Sequence, residues 1–466
     1  MNRTAHLSQS ISSTRRTNSH CCRNVYKQSK SPCTMTSKAH KTEKEAFVWI
    51  WLPGETKPVV AGRLEVDVSR GQGNVVFNYG KSYLERVSAG EPVMPIYEPE
   101  LPLRAGILPL PEGLTMPGCI RDAAPDAWGR RVIINKTLGS KGAGVDTAEL
   151  GELTYLLESG SDRIGALDFQ RSPTEYVPRV TNNINLEELV ESAERVEGGI
   201  PLTLELDQAL FHGSSIGGAR PKALMQDQGK KYVAKFSAST DLYSVIKAEF
   251  IAMRLASLAG LNVAPVQLTK AAKKDVLLIE RFDRLPAAAV DGRKEWSRKA
   301  MVSALTILGL DEMMARYASY ETMAEIIRHR FSEPKATLKE LFSRLVFNIL
   351  CGNTDDHARN HAAFWDGKEL TLTPAYDICP QGRTGNEASQ AMLISGNNNL
   401  GRLKSCLEAA KHFLLTDDDA RAVFTHMTGA IEENWQAVCD EANLSEVDRS
   451  LLWGRQFLNP YSIEMF

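Results

Sequence analysis

Gly352-Asn353-Thr354-Asp355-Asp356-His357-Ala358-Arg359-Asn360-His361, then a short hairpin, then Thr373-Pro374-Ala375-Tyr376-Asp377, is the stretch from which the rest of the chain can be read. Upstream of it, Leu338, Leu341, Phe342, Leu345 and Ile349 recur at helical spacing, so a helix is expected over 337–350 with Gly352 as its stop. The polar run 353–360 is then a loop leaving a buried helix. Residues 362–365 and 369–373 read as strands around Asp366-Gly367, a strong hairpin signal if both central residues take positive φ. A hairpin folds its ends together, so Asp355 and Asn360 are expected beside Asp377.

Such a trio suits phosphoryl transfer. The reaction needs a carboxylate to orient the attacking hydroxyl, for which Asp355 fits. It also needs hard oxygen ligands for magnesium, which takes few carboxylates and completes its shell with water and phosphate; Asn360 and Asp377 fit that role. The Asp-x-x-x-x-Asn spacing equals that of the protein-kinase catalytic loop. Turns are rich in Asp and Asn for reasons of their own, so the spacing counts only jointly with the hairpin and the further Asp. His357 either fixes the loop by hydrogen bonding or carries a proton.

A kinase also needs a phosphate cover, a strand lysine and a partner for that lysine, and all three occur in order upstream. Residues 213–222, Gly-Ser-Ser-Ile-Gly-Gly-Ala-Arg-Pro-Lys, form a glycine-dense loop ending in two cations, with Gly217 and Gly218 able to approach phosphate closely. Ala219 stands where a Walker A loop would have lysine, which disfavours that motif. Strands are expected over 223–225 and 231–236, joined across 226–230, with Lys235 on one face of Tyr-Val-Ala-Lys-Phe. A helix started by Asp241 and stopped by Gly260 puts Glu249 on the face of Val245, Ala252, Met253 and Ala256. A core-facing carboxylate requires a cation, and Lys235 is the expected partner. Four apolar residues, 276–279, form a buried strand that runs into a connector, where main chain near Glu280 and Phe282 is expected to meet adenine. Arg281 and Arg284 are expected in salt bridges with Asp283 and Glu280.

These residues resemble the HipA family of serine/threonine kinases, the toxin halves of bacterial toxin–antitoxin pairs. The resemblance runs from about residue 46 to the end and rests on the glycine-rich loop, Glu280-Arg-Phe-Asp-Arg284, the 352–360 loop, 372–377, and Ala124-Pro-Asp-Ala-Trp-Gly-Arg130. It implies a two-lobed α/β kinase fold related to phosphatidylinositol 3-kinases. It further implies ATP with magnesium, Asp355 as catalytic aspartate, Asn360 and Asp377 at the metal, and Lys235 at ATP. Autophosphorylation in the glycine-rich loop would fall on Ser215, with Ser214 beside it; two such residues also suit any flexible turn. Partners implied are a protein substrate of translation, an aminoacyl-tRNA synthetase being the familiar class, and a HipB-like helix-turn-helix antitoxin through which DNA is met indirectly. Two departures stand out: Asp356 where the family commonly has Gly, adding charge beside Asp355, and Arg220-Pro221 where it often has Gln-Glu. The alternatives are a small-molecule kinase and an inactive antitoxin-binding corepressor.

The 466 residues, 43% hydrophobic with a formal net charge of −2, allow two or three cored domains and give no global attraction to nucleic acid or membrane. No apolar run is long enough for a membrane span. Residues 1–34 carry six Lys or Arg and no Asp or Glu. The expected organisation is a disordered basic extension over 1–45, a β-rich subdomain over 46–138 with a helix near 125–135, a kinase N-lobe over 139–284, and a helical C-lobe over 285–466. His20, Cys21, Cys22 and Cys33 match no common zinc spacing. The remaining cysteines are scattered, as befits a reducing cytoplasm. In 124–130, Trp128 is expected to pack beneath an Asp126–Arg130 cap.

Overall fold

Alternation in Asn74–Tyr79 turns Val75, Phe77 and Tyr79 to one buried face, and the neighbouring Glu45–Ile50 and Val59–Asp67 pack likewise. The computed structural model describes residues 43–67, 73–138, 150–179, 185–200, 218, 220–238, 241, 243–287, 295–383 and 385–464, all within the unit Thr42–Phe466. These three strands belong to a five-stranded antiparallel sheet, flanked by Ile107–Leu108 on one edge and Leu167–Gln170 on the other. The sheet therefore draws its last strand from beyond residue 138, where the sequence suggested that the subdomain stops. At Gly62 a Cβ would fall 2.2 Å from the Asn78 carbonyl oxygen, so the second strand needs glycine there.

The second sheet has the order Lys222–Asp227, Lys230–Phe236, Lys274–Glu280, Val266–Ala271, all antiparallel. Gln228 and Gly229 both take positive φ, 45° and 78°, and form a two-residue turn. That turn fixes the register and sets Lys222 opposite Lys235. Both strands are longer than the sequence suggested because the turn needs only two residues. One side of this sheet meets a core of Trp128, Val132, Leu189, Val190 and Ala193 with Ala234 and Phe236. Helix Val245–Leu258 contacts its Val266–Ala271 and Lys274–Glu280 strands. The helix starts later than expected. Asp241 does not cap it, because its carboxylate accepts from Arg220 at 2.6 Å and from the Ala238 amide at 2.9 Å.

From residue 300 onward the chain is mainly helical around Pro334–Leu350, whose Leu338, Leu341, Phe342, Leu345 and Ile349 are all buried. Phe342 lies against Phe413 and Phe424, the latter on helix Asp417–Glu441. Truncating such a ring to alanine costs about 3–5 kcal/mol. Gly352 ends the central helix at φ 71°, where a Cβ would come within 2.7 Å of the Gln456 carbonyl. Ala362–Trp365 and Leu370–Leu372 then pair, with Ala300–Ser303 on the outer edge. Only Gly367 of the turn has positive φ; Asp366 instead accepts from the Lys368 and Glu369 amides, both at 2.8 Å. The loop is four residues long rather than two, because the short Asp side chain satisfies the amides that a tighter turn would have paired.

The two lobes meet at Ala375, whose amide donates to Asn262 at 2.7 Å and whose carbonyl accepts from Ala264 at 2.9 Å. Connector residues Arg281 and Asp283 form a buried ion pair at 2.7 Å, and Arg284 joins the same carboxylate at 2.9 Å. Glu280 is not part of it. Neighbouring strand side chains point to opposite faces, so Glu280 pairs with Lys230 at 2.7 Å while Arg281 reaches Asp162 at 3.1 Å. Burial alone would raise the Asp162 carboxyl, but Arg281, Arg284 and Lys231 hold it well below the usual range. Asp162 precedes the last strand of the N-terminal sheet, so this cluster fastens the interlobe connector to the N-terminal sheet. Among the described residues no helix is long and apolar enough to cross a membrane, and the five cysteines are free and buried.

Candidate active site

Between these elements lies a cavity of about 660 Å³, bordered by Gly218, Lys222, Lys235, Phe282, Asn360 and Asp377 among others. Lys235 comes from the second strand of the N-lobe sheet and is buried, 7% exposed. Its Nζ lies 2.6 Å from Glu249 Oε1, on a helix face that also buries Val245, Ala252, Met253 and Ala256. The same Nζ bonds Asp377 from the segment after the hairpin. Desolvation would lower the lysine pKa, but Asp377 and Glu249 together raise it well above the usual value, so Lys235 stays charged.

Asp377 sits at φ 60°, a left-handed conformation that Asp tolerates better than most residues. Backbone bonds at Ala375 hold it there, as does Arg344 of the central helix, which donates to the Thr373 carbonyl at 2.9 Å. Burial pushes the Asp377 carboxyl up, yet Lys235 and Lys222 overcome it and keep it below the ordinary carboxylate value. Asn360 lines the same cavity. Its Nδ2 donates to the Asp355 carbonyl at 3.0 Å, which leaves Oδ1 available as a ligand oxygen.

Asp355 projects at the exposed edge and does not line the cavity. Partial burial raises its carboxyl pKa, His357 opposes this, and Asp377 and Asp356 add to the rise. Asp356 thus adds charge beside Asp355, as expected, but it does not itself line the cavity. It is buried, 1% exposed, accepting from Tyr320 OH and lying 2.8 Å from His361 Nε2, because successive loop residues face opposite ways. His357 lines the cavity, and its Nδ1 is buried without a hydrogen-bond partner. Ser214, Ser215 and Gly217 fall outside the described residues. Glu280 and Phe282 line the cavity, with the Phe282 ring edge-on to Phe364 and tilted against Tyr376.

Two cavity residues, Lys222 and Arg359, were given no site role of their own from sequence. Lys222, 3% exposed, stands across the hairpin from Lys235; burial and the Lys235 charge lower its pKa to about 8. Counting pairs outward from Gln228-Gly229 would have found it. Arg359 is bound by Asp126 at 2.5 Å and by Glu312 at 2.6 Å. Desolvation would weaken this guanidinium, but both carboxylates keep it charged. The cap expected between Asp126 and Arg130 is absent: Arg130 is taken by Glu152 at 2.6 Å, and the Trp128 indole donates to the Lys222 carbonyl at 3.0 Å. Contacts 233 residues apart in sequence leave no local signal.

Among the described residues no three His, Cys, Asp or Glu side chains gather as a metal cage. Asp377 offers one carboxylate and Asn360 one amide oxygen to the same cavity, beside Lys222 and Lys235, a set whose chemistry would suit a magnesium ion completed by phosphate oxygens.

The family model of the HipA-like C-terminal domain matches residues 214–435. The chain is 26% identical over 189 residues to the serine/threonine-protein kinase toxin HipA of Shewanella oneidensis, covering 35% of this chain and 42% of that protein. Its fold is similar to that of HipA solved with HipB and operator DNA from the same organism, with a TM-score of 0.63 at 20% identity, covering 87% of this chain and 97% of the other. The family model and the two-lobed, kinase-like α/β fold agree, and residues 214–435 are a HipA-like C-terminal domain.

Proposed function

We propose that this chain is an ATP-dependent serine/threonine-protein kinase of HipA toxin type. The observation that carries the reading is Lys235, which links Glu249 on the N-lobe helix to Asp377 beneath the cavity that Asn360 also lines. Lys235 and Lys222 would neutralise nucleotide phosphates, and Phe282 would flank the base. Asn360 Oδ1 and Asp377 would hold magnesium, which would supply positive charge to offset that of the phosphates. Asp355, at the open edge, would accept the proton of an incoming hydroxyl. An exposed position suits this role, because a protein acceptor must reach it from outside.

The acceptor is read as a serine or threonine of a translation-related protein, with growth inhibition as the consequence and Ser215 as the site of self-modification. The binding partner is read as a HipB-like antitoxin, supported by the relative solved with HipB and operator DNA. Incubating the protein with γ-labelled ATP and magnesium, in lysate and alone, beside Asp355→Asn, tests the reading. Label should enter a lysate protein and the Ser215 peptide with wild type only. Label in small molecules alone would favour a metabolite kinase, and equal silence of both proteins would overturn kinase activity.

A further inference from the structure

Asp126 precedes helix Ala127–Leu138, where an aspartate ordinarily serves its own helix end. Here its two oxygens leave the helix. One accepts from Arg359 at 2.5 Å and the other from the Gly218 amide, 233 and 92 residues away in sequence. Gly218 is held from the other side as well, since the Trp128 amide donates to its carbonyl at 3.3 Å and the fully buried Trp128 ring bonds Lys222. Gly218 takes φ 104°, a backbone conformation that favours glycine. At the opposite wall, Arg359 adjoins Asn360, and its carbonyl accepts from Tyr376 OH at 2.8 Å, next to Asp377.

We propose that Asp126 is a positioning residue that couples the end of the glycine-rich loop to the catalytic loop. One carboxylate, 15% exposed, sets the distance between the wall carrying Lys222 and the wall carrying Asn360. A neutral side chain could not do this equally well, because charge-assisted bonds are shorter and about twice as strong as neutral ones. The N-terminal subdomain thereby contributes to the reaction geometry. The catalytic part of this inference rests on the proposed kinase activity; the coupling itself does not.

Hydrogen–deuterium exchange on the ligand-free full chain separates the two. Asp126→Ala should speed exchange of the Gly218 amide and of the 357–360 peptide about tenfold or more, leave helix Val245–Leu258 unchanged, and lower kcat/KM for ATP by about ten- to a hundredfold. Arg359→Gln should speed exchange at Gly218 in turn, and the double variant should lose no more activity than the worse single one. Should Asp126→Ala fail to fold, Asp126→Asn gives the same comparison with a smaller effect. Exchange at 357–360 unaffected by either Asp126 variant would overturn the proposal. Coupled exchange in a wild-type protein that transfers no phosphate would overturn the kinase reading and leave the coupling standing.

Discussion

Lys235 Nζ and Glu249 Oε1 lie 2.6 Å apart, with side chains 9% and 1% exposed, one on a strand and the other on the helix behind it. Removing one partner of such a pair leaves an uncompensated buried charge. Lys235→Ala should therefore destabilise the protein by about 3–5 kcal/mol in urea unfolding. The Lys235→Met/Glu249→Leu pair should recover most of that stability while remaining unable to transfer phosphate. Equal loss in the single and double variants would show that the pair is not energetically isolated.

Asp355 carries a carboxyl raised above its ordinary value of 3.8 by partial burial, with Asp377 and Asp356 adding to it against His357. The folded state thus holds this proton more tightly than the unfolded chain. Its contribution to stability is present in acid and fades as pH rises through the folded value. Activity runs the other way, since the base must be ionised. The acid limb of the kcat/KM profile should lie above pH 3.8, and Asp355→Asn should abolish that limb together with about 10²–10⁴ of the rate.

Lys222 titrates near 8 because burial and Lys235 disfavour its charge. Between that value and the ordinary 10.5 the unfolded chain binds the extra proton, so this group makes stability rise with pH across the window. An arriving polyphosphate reverses the balance. At pH 8–9, binding of a non-hydrolysable ATP analogue should be accompanied by proton uptake. Calorimetry in buffers of different ionisation enthalpy reads this directly, and Lys222→Met should remove it.

Asp356 is enclosed with Tyr320 and His361, whose Nε2 stands 3.1 Å from the Tyr320 hydroxyl. Asp356→Ala strands these groups in the core, at about 1–3 kcal/mol for each unsatisfied partner. The melting temperature should fall. Asp355→Asn, one residue earlier but exposed, should leave it nearly unchanged, which separates a loop support from a reacting group.

Periodicity and turn chemistry determined much of this molecule. The helix expected over 337–350, the stop at Gly352, the strand expected over 231–236 and the core-facing Glu249 are all written in local spacing, because each buries a face whose period the backbone dictates. The structure extends both elements at their starts. The grouping of Asn360 with Asp377 also followed, since a hairpin constrains its own ends. Tertiary structure alone decided that Asp126 would hold Arg359, that Asp241 would serve Arg220 instead of its helix, and that Asp356 would turn inward to Tyr320. A carboxylate makes the same local signal whatever it binds. Its partner is chosen by which cation the packed chain brings within about 3 Å, and that choice has no period to read.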